Sequence, residues 1–160
     1  MMEYCEPNHF RFISTDALPI ECVRWRRHGT ARGVVQIAHG LGEHIGRYAE
    51  LADLLTRAGL VVYGNDHRGQ GRTAQPSQQF GDFGPAGFDQ LVQDMMSLSA
   101  IAKGEHPGKP FILLVHSMGS FAAQQYVLDY SSSIDGLVLF GSGVLDRLLA
   151  WLLSVLREGP

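Results

Sequence analysis

Short apolar runs alternate with amphipathic stretches along most of the chain, and their order predicts the elements. Residues 10–14 and 20–26 alternate apolar and polar positions in part, with Asp16-Ala17-Leu18-Pro19 between them. That pattern predicts an antiparallel strand pair. Residues 33–38 (GVVQIA) then form a short, mostly apolar run ending at His39-Gly40. Tyr48, Leu51, Ala52, Leu55 and Ala58 recur at helical spacing, and Gly59 is placed as a C-terminal cap. Residues 60–63 predict a second buried strand ending in Gly64-Asn65-Asp66. A polar, glycine-rich loop follows from His67 to about Gly84.

Phe88, Leu91, Val92, Met95, Leu98 and Ala102 mark the next amphipathic helix, closed near Gly104. Residues 111–115 are the third buried run, and Ala122, Gln125, Tyr126 and Asp129 lie on successive turns of the helix after it. Residues 134–140 are the fourth. Strands alternating with helices in this order predict an α/β fold, a mostly parallel sheet with helices on both faces. Ligands of such sheets bind outside the carboxyl ends of the strands. Three unusual segments fall there, HGLGEH, DHRGQGRT and HSMGS, so these loops are expected to converge on one site.

Composition narrows the classes. The 160 residues suit one domain with a substantial core. Thirteen basic against 16 acidic residues give a formal charge of −3, which offers no general attraction to nucleic acid. Two cysteines, Cys5 and Cys22, make no disulfide framework and fit a reducing compartment. The N-terminus lacks a signal-peptide pattern and no apolar run reaches the roughly 20 residues of a membrane span, so a cytoplasmic protein is expected.

The chemistry is concentrated at FILLVHSMGS, residues 111–120. A strand that turns directly into a helix at a serine strains that residue and lifts its hydroxyl clear of the sheet. The usual pattern is G-x-S-x-G; Gly119 supplies the second glycine, while Val115 replaces the first and is expected to crowd the crossing helix. Ser117 is the candidate nucleophile. The backbone N–H of Met118 and that of Leu41, between Gly40 and Gly42, are the candidate oxyanion donors.

HGLGEHIGRY, NDHRGQGRT and HSMGS, in this order, resemble the α/β-hydrolase branch containing monoacylglycerol lipases and lysophospholipases, whose members are often labelled serine aminopeptidase-like. The resemblance covers nearly the whole chain, to about Ser142. It implies a serine hydrolase of the α/β-hydrolase fold that cleaves carboxylic esters of lipids through an acyl-enzyme. Ser117 is then the nucleophile, Leu41 and Met118 give the oxyanion amides, and no cofactor is needed. Val115 and Gln70, where this branch usually has Gly and His, depart from its pattern. Residues 1–143 become the N-terminal part of the hydrolase core. Residues 144–160, with Leu145, Leu148, Leu149, Leu152, Leu153 and Leu156 on one face, become the first helix of a lid that contacts lipid or membrane transiently.

The general base is the open point. In α/β-hydrolases the order is Ser, then Asp or Glu, then His. All seven histidines (His9, His28, His39, His44, His67, His106, His116) precede Ser117. The expectation is therefore an N-terminal half whose triad acid and base lie beyond Pro160. His116 is expected to pack as a structural residue beside the elbow, since strand neighbours face opposite sides. His39 is expected to brace the oxyanion loop, His44 and His67 to be solvated, and Asp66 and Arg68 to pair within their loop. No zinc-like spacing is present, so no metal is assigned. G-x-x-x-x-G-K-[ST] is absent, which disfavours nucleotides. Serine rather than aspartate at the elbow argues against dehalogenases and epoxide hydrolases. The alternatives are a peptidase or amidase on the same scaffold, and a non-catalytic interaction module that associates through an exposed sheet edge or the leucine-rich tail.

Overall fold

A computed structural model describes residues 5–74 and 80–143. The amphipathic leucine-rich stretch expected as a lid helix lies outside them. Six strands form one sheet: β1 (Asn8–Ile13), β2 (Pro19–Trp25), β3 (Gly33–Ala38), β4 (Leu60–Asn65), β5 (Phe111–His116) and β6 (Gly136–Phe140), in the spatial order β1-β2-β4-β3-β5-β6. β1 and β2 are antiparallel, and β2 also runs antiparallel to β4. β4, β3, β5 and β6 are mutually parallel. The hairpin and the four parallel strands are those the periodicity predicted, but β6, expected as a buried run, is the outer strand and leaves Val138, Leu139 and Phe140 exposed.

A 3-10 turn (Ile45–Tyr48) leads into α1 (Ala49–Arg57), which covers one face. Beneath it Val23, Trp25, Val35, Ile37, Ile45, Ala52 and Val62 form one core layer. α2 (Gly87–Glu105) and α3 (Met118–Tyr130) cover the opposite face, over Leu91, Met95, Leu113, Val115, Ala122 and Tyr126. Helical crossovers between parallel strands dictate this two-sided arrangement. Gln36, in the middle of β3, is fully buried yet satisfied. Its amide nitrogen donates to the Met95 carbonyl at 3.0 Å, and its oxygen accepts from the Ser99 hydroxyl at 2.8 Å.

The carboxyl ends of β3, β4 and β5 lie level, since Ala38 pairs with Val115 and Ile37 with Gly64. Their loops are joined by buried polar contacts. His39, just after β3, and His67, just after β4, stack at 4.3 Å between ring centroids. His39 Nδ1 lies 2.8 Å from the Gly40 carbonyl, and its Nε2 accepts the His67 backbone N–H at 3.0 Å. The hydrogen therefore sits on Nδ1, and both partners require a neutral ring. Burial lowers the pKa of His39, and burial followed by the neighbouring His39 holds that of His67 well below the ordinary histidine value. The expected solvation of His67 is thus incorrect: it is fully buried, because the loop turns inward beneath the β3 end.

The expected Asp66–Arg68 pair does not form either. Asp66 points toward the 3-10 turn and accepts the backbone N–H groups of Ile45 and Arg72, each at 2.7 Å. Arg68 reaches across the sheet instead, to Asp94 on α2 at 2.8 Å and Asp16 in the β1–β2 turn at 2.8 Å. The two side chains serve separate anchorages, which no local spacing reveals. Arg68 and Asp94 are both almost completely buried.

Two outcomes follow for stability. Asp94→Ala removes one of the two carboxylates that hold the buried Arg68 guanidinium and leaves Asp16, and urea unfolding is expected to show a loss of about 3 kcal/mol. His39 and His67 have depressed folded-state pKa values, so below the unfolded value of about 6.5 the unfolded chain binds protons that the folded chain refuses. Their contribution is present above that pH and is lost as pH falls, by up to about 1.4 kcal/mol per pH unit for each ring. Urea unfolding at pH 7 and pH 5 should show this decline, and His67→Gln should make it shallower.

Candidate active site

Ser117 stands between the last residue of β5 and the first of α3 with φ 50° and ψ −117°. A non-glycine residue there is strained by the order of 1–3 kcal/mol, and surrounding contacts must hold it. They do so from both sides. Its N–H donates to the Phe140 carbonyl of β6 at 2.9 Å. Its carbonyl accepts the Ser120 N–H at 2.8 Å and the Ser120 hydroxyl at 2.6 Å.

Gly119 explains how the helix can leave so abruptly. A Cβ built on it would stand 2.5 Å from the Ala38 carbonyl oxygen and 2.8 Å from that of His39. The first turn of α3 therefore rests directly on the backbone at the end of β3. Val115 occupies the other position of the usual motif without the crowding expected of it. It is fully buried in the core layer that also contains Ala122 and Ala123, whose small side chains leave it room.

The HGLG loop lies against this elbow. A Cβ on Gly40 would be 3.1 Å from Ser117 Cβ and 3.2 Å from both His116 Nδ1 and Glu43 Oε2, so only glycine brings the loop this close without displacement. Leu41 follows it, with its side chain 63% exposed. Met118 opens α3, packed in part on the core. The first backbone N–H groups of a helix lack intrahelical acceptors, and the helix dipole adds positive potential there. The structure thus sets Gly40, with Leu41 and Gly42 after it, against Ser117, with Met118 and Gly119 opening α3. Such an arrangement can bind a developing oxyanion beside a hydroxyl.

His116 is half-buried and packs beside Phe140 with ring centroids 5.5 Å apart. It also has a polar partner that sequence spacing did not suggest: Nδ1 lies 3.2 Å from Glu43 Oε2. Glu43 is the residue missed entirely. Its Oε2 also accepts the Gly40 N–H at 2.8 Å and the Tyr48 hydroxyl at 2.9 Å, while Oε1 faces Arg47 at 3.0 Å. Burial works against the charged carboxylate, but the Gly40, Tyr48 and His116 bonds bring its pKa down to about 2. The available signal was position: an acid three residues beyond Gly40 can fold back onto its own loop. His44 is exposed.

Among the described residues, no histidine is hydrogen-bonded to the Ser117 hydroxyl. No cluster of three His, Cys, Asp or Glu suits a metal ion, and no helix is long and apolar enough to cross a membrane, again among the described residues. Cys5 and Cys22 are buried free thiols, and burial pushes the Cys22 thiol far above its ordinary value. Neither has the character of a nucleophile.

Residues 29–158 match the family model described as serine aminopeptidase, S33. A monoacylglycerol lipase of Mycolicibacterium smegmatis is 38% identical over 120 residues, covering 75% of this chain and 41% of the relative. Human monoglyceride lipase is 32% identical over 133 residues, covering 83% and 42%. The crystal structure of a thermostable carboxyl esterase from Bacillus coagulans, in complex with glycerol, superposes with a TM-score of 0.86 at 31% identity, covering 95% of this chain and 49% of that one. The chain therefore spans about two-fifths of the length of these curated relatives. With its strained serine pressed against the HGLG loop and this match over most of its length, the chain belongs to the serine aminopeptidase S33 family of α/β-hydrolases.

Proposed function

We propose that this chain carries the nucleophile and oxyanion donors of a serine hydrolase acting on carboxylic esters of lipids, of the monoacylglycerol or lysophospholipid type. One observation supports it above the others: Ser117 holds φ 50° at a strand-to-helix turn, pressed against the HGLG loop at Gly40. Strain held by surrounding contacts in this way clusters at active sites. The similarity to a monoacylglycerol lipase and a monoglyceride lipase supports the lipid ester as substrate class.

In this reading Ser117 Oγ attacks the ester carbonyl carbon. The carbonyl oxygen takes up the negative charge and is held by the Leu41 and Met118 N–H groups. The alcohol leaves, and water attacks the acyl-enzyme to release the acid. The proton of Ser117 needs a histidine base oriented by an acid. No histidine follows Ser117 in these 160 residues. On the usual order of Ser, acid and His, the reading draws that base and acid from polypeptide other than these residues. Residues 144–160 are proposed as the start of a lid.

An amide or peptide substrate is the alternative on the same machinery, and the family description favours it. A binding surface is the second alternative. The outer strand β6 leaves Val138, Leu139 and Phe140 at 48%, 43% and 68% exposure, an apolar edge suited to another polypeptide.

Exogenous imidazole can stand in for an absent histidine, which gives a direct test. A long-chain alkyl fluorophosphonate is incubated with the chain and the adduct is read by intact mass. Labelling is expected to be slow alone, at least about tenfold faster with imidazole, and absent from Ser117→Ala. An adduct that persists in Ser117→Ala, or none with imidazole, contradicts the reading. An aminoacyl phosphonate used in parallel is expected to react more slowly, and the reverse order would favour the peptidase alternative.

A further inference from the structure

An oxyanion donor is useful only if its direction is fixed before charge develops, because reorientation during reaction forfeits the stabilisation. Leu41 sits on a loop flanked by glycines, the residues least able to fix a backbone by themselves. Something else must hold its amide, and the structure shows two side chains placed to do so.

The Gly40 N–H donates to Glu43 Oε2 at 2.8 Å, and the Gly42 N–H donates to Gln70 Oε1 at 2.9 Å. Both acceptors are themselves anchored. Glu43 takes further bonds from Tyr48 and His116, so its carboxylate joins the loop, the 3-10 turn and the residue before the nucleophile. Gln70 is 5% exposed, and its own N–H donates to the His67 carbonyl at 2.9 Å. Each peptide is planar, so holding the N–H of residues 40 and 42 fixes the two planes on either side of the 40–41 peptide. That intervening peptide carries the Leu41 N–H. Its remaining freedom is a few backbone torsions confined between two held ends.

We propose that Glu43 and Gln70 are positioning residues that clamp the oxyanion loop at alternate amides and so direct the Leu41 N–H toward Ser117. This rests on the hydrolase reading of Ser117 and adds to it how the loop is preorganised. Glu43 is not explained as a surface ion pair. Its partner Arg47 is 59% exposed, and an exposed pair of this kind contributes about 0–1 kcal/mol. The carboxylate itself is only 12% exposed and faces three donors from inside the site. Gln70 is the departure from the usual loop pattern, and its neutral amide supplies an acceptor that does not titrate.

Residue-resolved amide hydrogen exchange tests the clamp without requiring turnover. In the unaltered chain the Gly40 and Gly42 amides are expected to be protected. Glu43→Met, which keeps the length but removes both acceptor oxygens, is expected to speed exchange at Gly40 at least about tenfold. Gln70→Met is expected to do the same at Gly42, and Gln70→Glu, which keeps an acceptor, to restore protection there. Protection of Leu91 and Met95 in α2 reports whether each variant is folded. Should Glu43→Met lose it, the two Gln70 variants decide alone. Unprotected Gly40 and Gly42 in the folded parent, or exchange that ignores these substitutions, overturns the clamp. Imidazole-assisted phosphonylation of Ser117 should fall about tenfold in Gln70→Met and recover in Gln70→Glu. An unchanged rate alongside altered exchange overturns the positioning role. Absence of phosphonylation in the parent contradicts the hydrolase reading, while the exchange data still decide the clamp.

Discussion

The contact between the first turn of α3 and the backbone at the end of β3 governs the site. Gly119 meets the Ala38 and His39 carbonyl oxygens at distances that exclude any Cβ. That proximity lets the chain reverse within one residue after β5, which puts Ser117 at positive φ and against Gly40 of the HGLG loop. Were the helix set back by the width of a methyl group, the first turn of α3 would no longer lie against the end of β3. Precision of that order is what oxyanion stabilisation requires.

Buried polar groups then hold the loops around this contact. His39 joins the HGLG loop to the His67 loop, Asp66 binds backbone amides of Ile45 and Arg72, and Arg68 fastens the same loop to α2 and the β1–β2 turn. Each such group costs desolvation, which only a complete set of partners offsets. The result is a site whose walls are specified by polar contacts, set on a sheet specified by apolar ones. The carboxyl ends of the strands provide the place, and the buried network gives that place a single shape.

The fold was legible because its signals are local. Apolar strands of five or six residues, helical spacing in 48–58 and 88–102, and a serine between strand and helix can all be read along the chain. Ser117, Gly119 and the HGLG loop were legible for the same reason, since the turn chemistry lies in adjacent residues. What escaped is long-range. Arg68 looked like a partner for Asp66 two residues away, but its acids stand 26 and 52 positions distant. His67 looked solvated on a polar loop, yet tertiary packing buries it. Glu43 was passed over because its role depends on His116, 73 positions later. Gln70 stood out as unusual, and only the structure showed its oxygen on the Gly42 amide.

The central claim is that Ser117, the Leu41 amide and the Met118 amide surround one point in space. A high-resolution crystal structure of the chain phosphonylated at Ser117 tests it most directly. The account predicts a phosphonyl oxygen within about 2.7–3.1 Å of both backbone nitrogens, with the HGLG loop unmoved. A phosphonyl oxygen turned to solvent, or bound by one amide only, would contradict it.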